Sequence, residues 1–175
     1  MKNKLQINTG FTPNTNKLVW GFTIVELLIY MSLMGIFLLV LLDIFTMTLN
    51  SKLASESTST LNQDSRYILA KLSYDINNAD SVTIPVLGST GSSLQLIKDG
   101  LTYTYASSSG NFTVNEGGVI MSMNGIDTSL DNLSFINIGN VGGEPTIQIN
   151  YTLRSKIIVN GQTATQTVDT AVGTR

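Results

Sequence analysis

The chain contains neither cysteine nor histidine. A disulfide scaffold is thereby excluded, and so are Cys/His zinc sites and the Ser–His and Cys–His systems that activate a nucleophile. No phosphate-cradling glycine loop, nucleophile elbow or metal-binding helix motif occurs either. These absences leave no enzyme class with support, and the expectation is a non-catalytic chain without a cofactor. Charge is scarce as well, at 13% of the 175 residues, and residues 27–42 have none.

The few charges are unevenly placed. The formal net charge is −2, but residues 1–21 carry Lys2, Lys4 and Lys17 with no acid, which leaves 7 basic and 12 acidic groups in the remainder. An acidic body with scattered Lys and Arg offers no electrostatic footprint for nucleic acid. The absence of bridges does not fix a compartment, because an exported protein can do without them.

From Phe22 to Phe45 the chain reads FTIVELLIYMSLMGIFLLVLLDIF. This run reaches the roughly 20 residues that a helix needs to cross a bilayer. It is apolar all round rather than along one stripe, unlike a surface amphipathic helix. The lysines on its N-terminal side place residues 1–21 in the cytoplasm and the rest outside the membrane. A secretory signal peptide competes with this reading. Its basic region is ordinarily short and its apolar core about 7–15 residues long. Here both are longer, and the following Asn50–Ser57 segment, NSKLASES, is a poor cleavage site with Lys52 inside it. Asp43 lies near the outer end, where an acid reaches the interface cheaply. Glu26 is harder to accommodate, because it precedes the uninterrupted apolar run and an acid in lipid costs a few kcal/mol.

Gly21-Phe22-Thr23-Ile24-Val25-Glu26, behind a basic leader and ahead of an apolar helix, resembles the type IV prepilin (class III signal) pattern. In that family an inner-membrane aspartyl peptidase cuts after the glycine and methylates the new amine. The resemblance implies that Gly21 ends the leader, that Phe22 becomes the methylated first residue, and that Glu26 is the fifth residue of the mature chain. It implies further that Glu26, with Thr23 in the same motif, serves assembly, the carboxylate pairing with the amine of a neighbouring subunit. Such pairing would offset the burial cost and set axial register. Ser32 and Gly35 are small enough for close helix approach. Major pilins frequently carry a proline late in this helix; here that region holds Asp43 and no proline.

Beyond the anchor, Leu61, Ile68, Leu69, Leu72 and Ile76 follow helical spacing and form one apolar stripe. The Ser55–Thr60 stretch has weak helix propensity and is expected to bend or fray. Asn77 and Asn78 suit a helix end. From Ser81 the pattern changes to strands, expected at 82–87, 93–98, 101–105, 111–114, 119–123, 133–138, 146–159 and 163–172. Turns are expected at Asp99-Gly100, Asn124-Gly125 and Asn160-Gly161, and loops at residues 88–92 and 139–143. In the last hairpin Ile147, Ile149, Tyr151 and Leu153 alternate with Gln148, Asn150, Thr152 and Arg154, so one face lies on the helix. The expected fold is α+β, a long N-terminal helix packed on an antiparallel sheet. Its division is 1–21 leader, 22–49 membrane or filament-core helix, 50–80 amphipathic continuation and 81–175 β-rich head.

The segment around Leu72, Asp75, Ile76 and Ala79 is similar to the Leu-x-x-Asp-Leu-x-x-Ala pattern of J-type minor pseudopilins, whereas K-type subunits usually lack the glutamate. The function implied is a structural subunit, minor rather than major, of a type IV pilus, type II secretion pseudopilus or competence filament, acting in initiation or at the tip. Its partners are then the prepilin peptidase, other pilin or pseudopilin subunits, membrane lipid before assembly and, indirectly, the inner-membrane platform and its ATPase. Its location is the bacterial inner membrane and afterwards an extracellular or periplasmic filament. The alternatives are a major pilin, a membrane-anchored binding module for adhesion or DNA capture, with Tyr103, Tyr105 and Phe112 as a stacking surface, and a plain single-pass protein with an uncut N-terminus. Asp127, Asp131 and Glu144 are the carboxylates weighed for acid/base work or calcium, and they lack the spacing of a calcium loop.

Overall fold

The computed structural model describes residues 21–175; the leader assigned to residues 1–21 lies, but for Gly21, outside the described residues. One helix, α1 (Ile24–Asn77), is followed by nine strands: β1 (Ser81–Ile84), β2 (Thr90–Gly91), β3 (Ser93–Lys98), β4 (Leu101–Ser108), β5 (Asn111–Glu116), β6 (Val119–Ser122), β7 (Thr128–Asn137), β8 (Thr146–Val159) and β9 (Gln162–Gly173). The fold is α+β, as the sequence pattern indicated. The chain divides into two compact units, one ending at Ile44 and the other spanning Phe45–Arg175.

The first unit holds the apolar part of α1. An 18-residue window there is long and apolar enough to cross a membrane, and none of it is buried. A soluble core helix of that composition would be covered by its own chain, so α1 carries a candidate membrane span.

In the second unit the helix turns one face inward. Ser57, Leu61, Ser65, Ile68, Leu72, Asp75 and Ile76 are buried, at steps of three and four up to Asp75 with Ile76 adjacent, which is the stripe that 3.6-residue periodicity produces. Leu69, expected on the stripe, stands at its margin and is half-buried. The Ser55–Thr60 stretch does not fray. Thr58 and Thr60 donate to the carbonyls of Ala54 and Glu56 at 3.0 Å, and Ser57 sits on the buried face, so packing overrides weak propensity. The helix ends where the asparagines stand, the Asn78 side chain donating to the Tyr74 carbonyl at 2.7 Å.

The head contains two antiparallel sheets rather than one: a five-stranded sheet in the order β1-β3-β4-β5-β6 and a four-stranded sheet in the order β2-β7-β8-β9. Two-residue turns at Asp99-Gly100, Ser109-Gly110 and Asn160-Gly161 each have positive φ at both positions, the type I′ geometry whose twist matches the strands. Asn124-Gly125, expected as a turn dipeptide, is no hairpin. It lies on the passage from β6 to β7, between the two sheets. The expected loop at residues 88–92 contributes β2, with Thr90 opposite Ile136 and Gly91 opposite Phe135.

One core serves both sheets. Leu61, Ile68, Leu72 and Ile76 of the helix meet Leu94, Leu96, Tyr105, Phe112 and Val114 of one sheet and Phe135, Ile147, Ile149, Tyr151 and Leu153 of the other. The alternation expected in β8 is therefore present, all four of its apolar positions being fully buried.

The unit Phe45–Arg175 is expected to fold on its own. Within it Ile68→Ala should lower stability by about 2–5 kcal/mol through cavity formation, whereas Tyr67→Ala, at an exposed neighbouring position, should change it by no more than about 0.5 kcal/mol. Urea denaturation of the two variants checks this; equal midpoints would move the buried face of the helix elsewhere.

Candidate functional site

The residues of the Gly21–Glu26 motif start the helix. Thr23 stands before the first helical residue, and its Oγ1 accepts the N–H of Glu26 at 3.2 Å. Its carbonyl accepts the N–H of Leu27 at 3.1 Å. Thr23 is thus the N-cap, and Glu26, three residues on, occupies the place of a capping-box acid in the first turn. The positive end of the helix dipole favours a carboxylate there. Glu26 Oε1 accepts a hydrogen bond from the Tyr30 hydroxyl at 3.2 Å. Gly21 is exposed, with no atom within 4 Å of where a Cβ would stand, and Phe22 is 74% exposed. The Gly21–Phe22 bond is accordingly accessible in the described chain.

Along the apolar run, Ser32 returns its hydroxyl to the Leu28 carbonyl at 2.9 Å, leaving no free donor on the surface. Gly35 has open space around it, so nothing among the described residues requires a glycine there.

A second polar constellation lies in the head and was not anticipated in its detail. Asp75 is fully buried; Lys98 approaches Oδ1 at 2.9 Å and Lys71 approaches Oδ2 at 2.8 Å, and the Tyr105 hydroxyl also donates to Oδ2. Lys98 also stands 4.4 Å from the centre of the Tyr74 ring. Burial pushes the Asp75 carboxyl up, but hydrogen bonds from Lys71, Tyr105 and Lys98 and the charge of Lys71 outweigh it, and the net shift is downward. Burial and the bond to Asp75 push Tyr105 upward, so its hydroxyl remains a donor. The bond to Asp75 likewise holds Lys98 charged. The sequence signal was an aspartate between Leu72 and Ile76 on an apolar stripe, with a lysine four residues earlier. Leu72, Asp75, Ile76 and Ala79, the positions of the pattern noted above, are all buried.

Other tethers join the helix to the four-stranded sheet. Asp64 Oδ2 accepts the N–H of Gly125 at 2.8 Å and the Thr128 hydroxyl. A Cβ on Gly125 would come within 3.3 Å of that carboxylate oxygen. The Tyr151 hydroxyl donates to the Ser65 carbonyl at 2.9 Å.

Of the remaining candidates, Asp131 and Glu144 have local side-chain partners, whereas Asp127 is tied through its backbone. Asp131 is held by Arg154, Glu144 accepts from the Thr174 hydroxyl at 3.0 Å, and the backbone carbonyl of Asp127 accepts the N–H of Lys156. Among the described residues no group of three or more His, Cys, Asp or Glu could hold a metal ion. Tyr103, Tyr105 and Phe112, weighed as a stacking surface, are core residues. Comparison with protein-family models, with curated proteins and with solved structures finds no match to this chain.

Asp75 gives the head a defined acid sensitivity. Its folded-state value lies below its unfolded one, so its stabilisation is complete above the unfolded carboxylate value of about 4 and is lost as pH falls through the folded value. At neutral pH Asp75→Asn is expected to destabilise the head by about 3 kcal/mol, the cost of removing one partner from a buried pair. The gap should narrow below about pH 4. Urea titrations at pH 7 and pH 3 measure it; a gap of constant size would show that the charge of Asp75 contributes nothing.

Proposed function

We propose that the chain is a prepilin-type structural subunit, processed before Phe22 and assembled through its N-terminal helix into a pilus or pilus-like secretion filament. The observation that carries this reading is the conjunction at the start of α1. An accessible Gly21–Phe22 bond is followed at once by a capped helix with Glu26 in its first turn and by an apolar surface that nothing in the described chain covers. Cleavage there would place a positive amine next to a carboxylate at the head of a membrane helix. Both charges would then need partners in an apolar medium, and neighbouring subunits supply them reciprocally.

The head supports a structural role more than a chemical one. Asp75 with Lys98 and Tyr105, Asp64 with Thr128, and Ser65 with Tyr151 are engaged with one another, the Ser57 hydroxyl being buried without a partner among the described residues, and Asp131 and Glu144 are taken up in a local ion pair and a hydrogen bond. The pattern Leu72, Asp75, Ile76 and Ala79, together with the lack of cysteine, favours a minor subunit of initiation or tip. Before assembly such a subunit resides in the inner membrane with its head outside, in contact with lipid, the peptidase and the assembly platform.

The test is the intact mass and N-terminal sequence of the protein from cells containing its own peptidase. A chain beginning at methylated Phe22 is expected; one that retains Met1–Gly21 removes the proposal. Glu26→Ala should leave cleavage intact and impair incorporation into filaments, and normal incorporation of that variant would defeat the pairing argument.

A further inference from the structure

Tyr30 belongs to the N-terminal site although the processing motif does not include it. It lies one helical turn beyond Glu26, and its hydroxyl donates to Glu26 Oε1 at 3.2 Å. Its ring also meets the ring of Phe22 edge-on, the centroids 6.1 Å apart and the planes at 75°. Phe22 precedes the Thr23 cap and folds back over the helix, as apolar residues ahead of a cap do. Within residues 21–30 only Glu26 is partly covered; the others are exposed.

We infer that Tyr30 is a positioning residue for assembly: its hydroxyl satisfies Glu26 and its ring seats Phe22 in the unassembled subunit, and addition to the filament exchanges that hydroxyl for the amine of another subunit. This rests on the assembly reading above. A carboxylate at the head of a membrane helix has little water to turn to, and an unsatisfied acceptor in such a medium is costly. Residues three and four apart are neighbours on a helix, so a phenol four residues on is within reach of the carboxylate. An incoming amine makes a charge-assisted bond, which is stronger than the neutral hydroxyl can give. Tyr30 thus stabilises the stored state and not the assembled one. Its removal should favour the filament, the opposite of what loss of a packing residue does.

The experiment uses the full chain with its peptidase. Tagged wild type, Tyr30→Phe, Glu26→Gln and the double variant are each coexpressed with the untagged wild-type chain so that filaments form throughout, and the tagged protein is partitioned between membrane and filament fractions. Tyr30→Phe keeps the ring and loses the donor. It should be cut at the same bond and raise the filament-to-membrane ratio by about tenfold, the worth of one hydrogen bond to a charged group. In the Glu26→Gln background the same change should have no effect, because the coupling requires the carboxylate. An unchanged or lower ratio for Tyr30→Phe, or an equal rise in the Gln background, overturns the inference. Ring-to-ring NOEs between Phe22 and position 30 are expected in micelles for wild type and Tyr30→Phe alike, and their absence overturns the seating of Phe22. Failure of the wild-type chain to be cut before Phe22 is a different result: it removes the assembly reading, and the exchange with it.

Discussion

The head depends on one row of side chains, Leu61, Ile68, Leu72 and Ile76, which forms a wall common to two sheets. Neither sheet could bury its inner face against the other alone, since the helix supplies much of the apolar surface on which both rest. The sheets meet at Phe112. Its ring stands 6.4 Å from Tyr105 in its own sheet and 6.5 and 5.9 Å from Phe135 and Tyr151 in the other. Such tilted and edge-on contacts add to the area buried, and they come from strands whose alternation already points these residues inward.

Apolar burial is non-directional, so it does not by itself fix how far the helix is turned or slid on the sheets. The polar tethers do. Asp64 and Ser65 bind Gly125, Thr128 and Tyr151 on the side of the four-stranded sheet. Asp75, about three turns further on, binds Lys98 and Tyr105 of the five-stranded one. A leucine at position 75 could bury as much area, but it would accept many positions, whereas a carboxylate with three donors accepts few. Buried ion pairs are weak evidence for stability and better evidence for a specified arrangement, and Asp75 fits the second description.

The local parts of this structure were legible in the sequence because local physics decides them. Stripe periodicity located the buried face of α1, Asn77 and Asn78 marked its end, and the Asp99-Gly100 and Asn160-Gly161 dipeptides gave hairpins, since φ > 0 at two successive positions is cheap for those residues. What was not legible depends on partners distant in the chain. Ser109-Gly110 makes the same turn with a weaker signal. Asn124-Gly125 looks like a hairpin but serves to change sheets, because Asp64 on the helix captures its backbone. Thr90–Gly91 reads as loop and becomes a strand only because β7 lies beside it. The division into two sheets is of the same kind: no single strand records which neighbour it will have. At the N-terminal site the residue types were readable, but nothing in the motif marks Tyr30 as the partner of Glu26, although a spacing of four allows it.

The two parts of α1 satisfy their polar side chains by different rules. In the head, Asp64, Ser65 and Asp75 find partners 20 or more residues away, which a folded domain can hold in place. In the apolar run the bonds made by Thr23, Glu26, Tyr30 and Ser32 all close within three or four residues. A segment that must be stable in a medium without donors has to be self-sufficient in this way. Of these four, Glu26 is the one whose charge is met by a neutral donor. One neutral phenolic hydroxyl is a modest partner for a carboxylate, and on the assembly proposed above a charged donor can displace it. A charged internal partner, such as a lysine at position 30, would satisfy the acid permanently and, on the same proposal, leave it nothing to offer another subunit.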